Sequence, residues 1–251
     1  MTAPIALQLY SIREELSGDF EAGVRRIANM GYVGVEPAGF PGTTPQEAAK
    51  LFRELELAVP SAHIAMPIGE AKQETLDTMH TLGSTRIVSG LGPDDFVTVD
   101  LTKRSCEKFN EASAVAVENG MTFSIHNHWW EFLPLDSRHV YEVMLDYLAP
   151  EVLFEVDTYW VKTAGLNPAA VVRELGARAP LLHIKDGPCK QRESMTAVGD
   201  GIMDFRSIVE AGGTTVEWMI VELDRCDTDM MEAVEKSYAY LTTKQLAYGK
   251  C

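Results

Sequence analysis

Eight alternating strand and helix patterns within 251 residues predict an α/β protein, a (β/α)8 TIM barrel running as a single domain over residues 1–251. Two observations strengthen that reading. No GxGxxG follows the first strand pattern and no Walker A sequence occurs, so the marks of a doubly wound nucleotide-binding sheet are missing. The residues able to do chemistry also fall at the C-terminal ends of the strand patterns, where barrels of this kind build their sites: Glu36, His63, His126, Asp157, His183 and Glu222.

The elements follow in order. Ile5–Leu9 is the first strand, and Phe20–Met30 is a helix with Phe20, Val24, Ile27 and Met30 at amphipathic spacing. Val33–Glu36 is the second strand. A helix over Pro45–Leu55 follows, with Thr44 as N-cap, Pro45 at the first helical position and Glu47 beyond. The third strand is Ala58–His63, with a helix over Gly69–Leu82. The fourth is Arg86–Ser89, and after a Gly-Pro-Asp-Asp loop comes a helix over Thr98–Glu118. Thr122–Asn127 opens the second half, with a helix near Ser137–Tyr147. Val152–Asp157 leads to a helix near Pro168–Leu175, and Leu181–Ile184 to a long loop and a helix near Asp204–Ala211. Glu217–Leu223 is the eighth strand, closed by a helix over Met230–Leu246. Parallel strands need such helical crossovers, which cover the outside of the sheet.

Composition narrows the function. The hydrophobic content of 46% and charged content of 24% are those of a soluble globular chain. No apolar run approaches the roughly 20 residues that span a bilayer, and the N-terminus has no signal-peptide pattern. A formal net charge of −15, without any Lys and Arg cluster, argues against nucleic acid or an anionic membrane as partner. Four scattered cysteines, Cys106, Cys189, Cys226 and Cys251, form no CxxC pair and fit reduced thiols in a cytoplasm.

The densest chemistry lies in MTFSIHNHWWE, Met121 to Glu131. Strand alternation points His126 and His128 to one face and Asn127 to the other. Three more apolar strands end in metal-binding residues: LFEVD at Asp157, LLHIKD at His183 and WMIVELD at Glu222. Mixed imidazole and carboxylate donors suit one divalent ion, Mn2+, Co2+, Zn2+ or Mg2+, with the nitrogens favouring the transition metals. Each residue also has a plainer reading. Asp157 could be only an N-cap, His183 a core histidine, and Asp224 competes with Glu222 from the same strand face. Glu131 competes with His126 for the fourth position and otherwise has a role toward substrate.

His128 and Lys185 are the candidates for proton transfer, with Glu131 as the alternative to His128 for removing a proton. Lys185 shares a strand face with His183, and beside a metal its pKa is expected to fall. An ion pair with Asp186 or with a ligand carboxylate is the plainer alternative. Trp129, Trp130 and Trp160 could wall a sugar site or simply pack. The loop VGDG, Val198–Gly201, could close over the site or form a plain turn.

These segments resemble the sugar phosphate isomerase/epimerase family with the xylose isomerase-like barrel. IHNHWWEF is similar to its YHNHxxEF segment and VDTYWVKTAGLNP to its DTYWV…AG.DP segment. HIKD followed by VGDGIMDF resembles HLKD…VGEGxxD, and IVELD resembles the terminal IVExD. The resemblance covers most of the chain from Phe123 to Asp224 and is weaker before it, through LQLYS, GVEP and SAHI.

It implies a divalent metal on His126, Asp157, His183 and Glu222, acid and base roles for His128 and Lys185, and substrate-lining roles for Gln8, Glu36 and His63. Many relatives carry Glu at the position of His126, whereas inosose dehydratases also have histidines there, which keeps lyase chemistry open. Endonuclease activity is disfavoured by the small ligand set and the acidic surface.

The expectation is an enzyme of small keto-sugars or polyols working through an enediolate, with isomerisation or epimerisation first and dehydration or β-elimination on an inosose or 3-keto-sugar second. A non-catalytic sugar-binding barrel would keep the aromatics but has no need of Lys185 and four ligands. Without a basic cluster, an unphosphorylated substrate fits better; the oligomeric state stays open.

Overall fold

The computed structural model describes residues 2–250. Eight parallel strands, β1 Ala3–Gln8, β2 Gly34–Glu36, β3 Ala62–His63, β4 Arg86–Ser89, β5 Thr122–His126, β6 Val152–Asp157, β7 Leu181–Ile184 and β8 Trp218–Val221, form a nearly closed barrel. Consecutive strands pair from β3 to β8, and β8 pairs with β1, which pairs with β2. Between β2 and β3 the ladder thins to a single bridge at Gly34 and Ala58, with His63 donating to the Pro37 carbonyl. Pro60 accounts for the shortening of the expected Ala58–His63 strand, because it has no N–H to give the ladder.

The barrel separates two cores. Residues of one parity along each strand, such as Ile5, Leu7, Phe123, Ile125, Val156, Leu182 and Val221, pack outward into the layer beneath the helices. Those of the other parity point inward, where Ala6, Val88, Leu181 and Ile220 make a small separate apolar cluster against Trp218. Gly34 is part of the fit: a Cβ there would lie 2.8 Å from the Trp218 ring. The same inward parity, continued toward the C-terminal end, runs from Ala6 to Gln8, from Leu181 to His183 and from Ile220 to Glu222. The parity that builds the plug therefore also delivers the polar residues above it.

The helices match their sequence signals with local corrections. Ten are present, α1 Arg13–Gly18, α2 Phe20–Met30, α3 Pro45–Glu54, α4 Lys72–Leu82, α5 Val99–Glu118, α6 Val140–Tyr147, α7 Thr158–Thr163, α8 Pro168–Leu175, α9 Phe205–Gly212 and α10 Met230–Thr243. Thr44 and Glu47 form a full capping box on α3, and Thr98 and Asp204 cap α5 and α9. The α6 helix starts later than expected because Asp136, at φ 54°, turns a short hairpin of Pro134–Leu135 against Arg138–His139. The last helix stops at Thr243, short of Leu246, as Gln245 takes a positive φ of 56°. Its exit leads into a short strand, Ala247–Tyr248, beside β1.

No helix of the described residues is long and apolar enough to cross a membrane. Cys106, Cys189 and Cys226 are unpaired, and Cys251 lies outside the described residues.

Candidate metal centre

Strand register explains how residues distant in sequence converge. His126 on β5 pairs with Glu155 on β6, and Asp157 on β6 pairs with His183 on β7. Polar side chains then lock the strand ends. Asn127 accepts from the Asp157 N–H at 3.0 Å and donates back to the Asp157 carbonyl at 3.2 Å. The Thr158 hydroxyl donates to the His183 carbonyl, and Ser11 accepts from Leu223 N–H just beyond Glu222.

The four residues expected as ligands come together. One donor atom each of His126, Asp157, His183 and Glu222 lies within 4.8 Å of the others, and all four are buried. His183 Nδ1 is 2.8 Å from Glu222 Oε2, and His126 Nε2 is 4.0 Å from Asp157 Oδ2. The two competitors sit elsewhere. Glu131 accepts from the His128 N–H at 2.9 Å, and Asp224 pairs with Lys185 at 3.0 Å. Asp157 combines the expected cap with a place in the cluster: Oδ1 caps α7 by accepting from Trp160 N–H, while Oδ2 faces Lys185.

Lys185 is fully inside this site, 3.0 Å from Asp157, 2.7 Å from Glu222 and 3.0 Å from Asp224. Two effects oppose each other on its pKa. Burial lowers it, but the three carboxylates outweigh burial and hold the ammonium well above its ordinary range. Lys185 is thus a fixed cation, and the ion pairing weighed as its plainer role is present. His183 behaves likewise: burial lowers its pKa, and Glu155, Glu222 and Glu36 together raise it well above normal.

Three other histidines of the site, His126, His63 and His128, are shifted the opposite way. Burial is the largest cause for His126, held well below its normal value, and for His63. His128 is pushed down to about 3 by burial and then by Lys185. It stacks on Trp130 at 4.1 Å between ring centres, and its Nδ1 has no hydrogen-bond partner. Trp160 is 6.5 Å from His128 and 5.4 Å from the Lys185 ammonium, so the aromatic wall borders the polar centre. Burial raises Asp157 to about 6 and Glu131 to about 8. In Glu222 burial acts upward, yet Lys185 and His183 pull its pKa below the usual carboxylate range.

The substrate-lining candidates are near but differently engaged. His63 faces His126 at 5.0 Å between ring centres. Gln8 is buried, its Oε1 taken by Tyr10 N–H and its Nε2 unpartnered. Glu36 is buried with Oε2 at 3.1 Å from His183 Nε2, which ties it to the cluster itself.

Three site residues were not singled out from sequence. Glu155 is fully buried between His126 and His183, and its signal was its parity with Asp157 in LFEVD. Asn127 pointed away from the cluster as read, and serves as the strand-end tie. Asp186 accepts from Gly187, Gly199, Gly201 and Met203 N–H and so pins the VGDG loop to the strand end. Gly201 is required there, since a Cβ would collide with the Asp186 carboxylate.

A divalent metal fits this donor set. Five carboxylates, Glu36, Glu155, Asp157, Glu222 and Asp224, crowd around Lys185 and His183, an excess of negative charge that a divalent ion would offset on displacing the proton of His183. The two nitrogens and two oxygens of the ligand group suit a small transition-metal ion.

Comparison with known proteins agrees with this architecture. A family described as the xylose isomerase-like TIM barrel matches residues 24–242. A sugar phosphate isomerase/epimerase from Parabacteroides distasonis ATCC 8503 superposes with a TM-score of 0.84 at 25% identity, covering 99% of this chain and 96% of that one. A probable 3-DHS dehydratase, AsbF, from Bacillus anthracis gives 0.76 at 12% identity over 95% and 98%. The IOLI protein, solved with a zinc atom, gives 0.72 at 15% over 98% and 98%. No curated protein matches the chain in sequence. The chain belongs to the xylose isomerase-like TIM barrel family.

Proposed function

We propose that this protein is a divalent-metal-dependent sugar isomerase/epimerase acting on a small keto-sugar or polyol through an enediolate. One observation carries the reading: a buried group of His126, Asp157, His183 and Glu222 lies beside a neutral imidazole, His128, and a fixed ammonium, Lys185. The sugar phosphate isomerase/epimerase with the same barrel supports the substrate class, and the neighbour solved with a zinc atom supports a divalent metal.

The four ligands would hold the metal, which when bound polarises a carbonyl and its neighbouring hydroxyl and so acidifies the α-proton. His128 is unprotonated at neutral pH and removes that proton. Lys185 stabilises the charge that develops on the enediolate, and the His128 imidazolium returns the proton. The Trp160 face orients the ring carbons beside the ammonium. Glu131 holds the His128 backbone N–H with one oxygen, while its other oxygen is buried without a partner. Proton return to the neighbouring carbon isomerises, and return to the opposite face epimerises.

A second reading is a lyase expelling a β-oxygen from the same enediolate, as on an inosose or 3-keto-sugar. The ammonium of Lys185 favours it, because a fixed cation can stabilise the negative charge on a departing oxygen.

Elemental analysis of purified protein and of Asp157→Ala tests the centre. About one divalent ion per chain, lost in the variant, is expected. Incubation of keto-sugars in D2O, followed by NMR, then reports solvent exchange and the product. The absence of both metal and exchange would sink the proposal.

A further inference from the structure

We infer that Glu155 is a positioning residue that orients two metal-binding imidazoles with one carboxylate oxygen, a role that rests on the metal reading above. Glu155 Oε2 lies 3.1 Å from His126 Nδ1 and 3.0 Å from His183 Nε2. The opposite nitrogen of each ring faces the ligand group: His126 Nε2 toward Asp157, and His183 Nδ1 against Glu222 Oε2 at 2.8 Å. A hydrogen bond to one ring nitrogen fixes the proton there and leaves the other lone pair free for a metal. Glu155 does this for His126, and it also stands against the edge of the His183 ring that faces away from Glu222, because β6 lies between β5 and β7 and its parity aims Glu155 inward below Asp157.

The two rings do not depend on it equally. His183 Nε2 has a second acceptor in Glu36 Oε2 at 3.1 Å. For His126 Nδ1, Glu155 is the acceptor found among the described residues. The other oxygen of Glu155 is buried without a hydrogen-bond partner. Loss of the carboxylate therefore frees the His126 ring while Glu36 still holds His183.

The test compares wild type, Glu155→Leu and Glu155→Gln by Mn2+ titration and by long-range 15N–1H NMR of the histidine rings in metal-free protein. The Leu side chain removes the acceptor at similar volume, whereas Gln keeps an acceptor oxygen without the charge. Wild type is expected to show the Nδ1–H form of His126. Glu155→Leu should lose that form, keep the Nε2 proton of His183, and weaken Mn2+ by about 10- to 100-fold. Glu155→Gln should hold the His126 tautomer and bind Mn2+ close to wild type.

Unchanged Mn2+ affinity in Glu155→Leu would overturn the assignment, as would equal weakening in both variants, which would make the charge and not the acceptor the cause. If wild type binds no Mn2+, the metal reading fails on its own. The metal-free tautomers then still decide the role of Glu155, an unchanged His126 ring in Glu155→Leu overturning it.

Discussion

Replacing Lys185 with Met should destabilise the metal-free protein severely and the metal-loaded protein far less. The ammonium is 1% exposed and touches Asp157, Glu222 and Asp224 at 3.0, 2.7 and 3.0 Å. Met retains most of the stem's volume, so little cavity is made and the change isolates the charge. Removing one partner of a buried ion pair costs about 3–5 kcal/mol, since the remaining charge is left uncompensated. For a chain of this size 1 kcal/mol moves Tm by about 2–4 °C, so the metal-free variant should melt roughly 6–20 °C lower. A divalent ion bound by Asp157 and Glu222 supplies the missing positive charge, and the deficit should shrink to less than half in saturating Mn2+. It should also shrink at pH 5, where the freed carboxylates take up protons instead of staying charged. Calorimetry of both proteins, with chelator and with Mn2+, decides it. A metal-free shift under about 2 °C would refute the buried-pair argument. An equal shift with and without Mn2+ would refute the idea that the metal and Lys185 share the same carboxylates.

Two further predictions concern residues outside the ligand group. Burial holds Glu131 at about 8 against an ordinary 4.5, so between those values the native state binds the extra proton and stability falls as pH rises. At 1.36 kcal/mol per pKa unit, Glu131→Gln should remove a pH dependence on the order of 4 kcal/mol between pH 4.5 and 8. Urea unfolding at pH 5 and pH 8 measures it, and parallel slopes for the two proteins would contradict the assignment. Asp186→Ala strips four backbone N–H groups of a buried acceptor; charge-assisted bonds contribute about 1.5–3 kcal/mol each, not additively, so a loss of about 3–5 kcal/mol is expected. Hydrogen exchange should accelerate at the amides of Gly187, Gly199, Gly201 and Met203, and unaltered protection there would show that the loop stands without Asp186.

The barrel was legible because its strands are short apolar runs and its helices carry explicit caps, Thr44 with Glu47 and Thr98 being clear cases. Where boundaries moved, the cause was local chemistry that periodicity does not register. Pro60 cannot donate to a ladder, and positive φ at Asp136 and Gln245 turns the chain earlier than the hydrophobic pattern implies. The α7 helix was missed because its six residues are too few to show a period, and it forms on the cap from Asp157.

The site was legible wherever chemistry ends a strand, and opaque wherever it lies one pair deeper. His126, Asp157, His183 and Glu222 announce themselves as polar termini of apolar runs. Glu155 obeys the same parity as Asp157, yet two residues inside a strand it resembles an ordinary buried carboxylate. Its meaning depends on β5 and β7 lying on either side of β6, and register of that kind is a property of pairing rather than of one strand's sequence. The ion pairs of Lys185 were hidden for a related reason: its three carboxylates come from β6 and the end of β8, and only the closed barrel defines their distances. Strand parity therefore locates such a site, while inter-strand register decides which of its groups are charged.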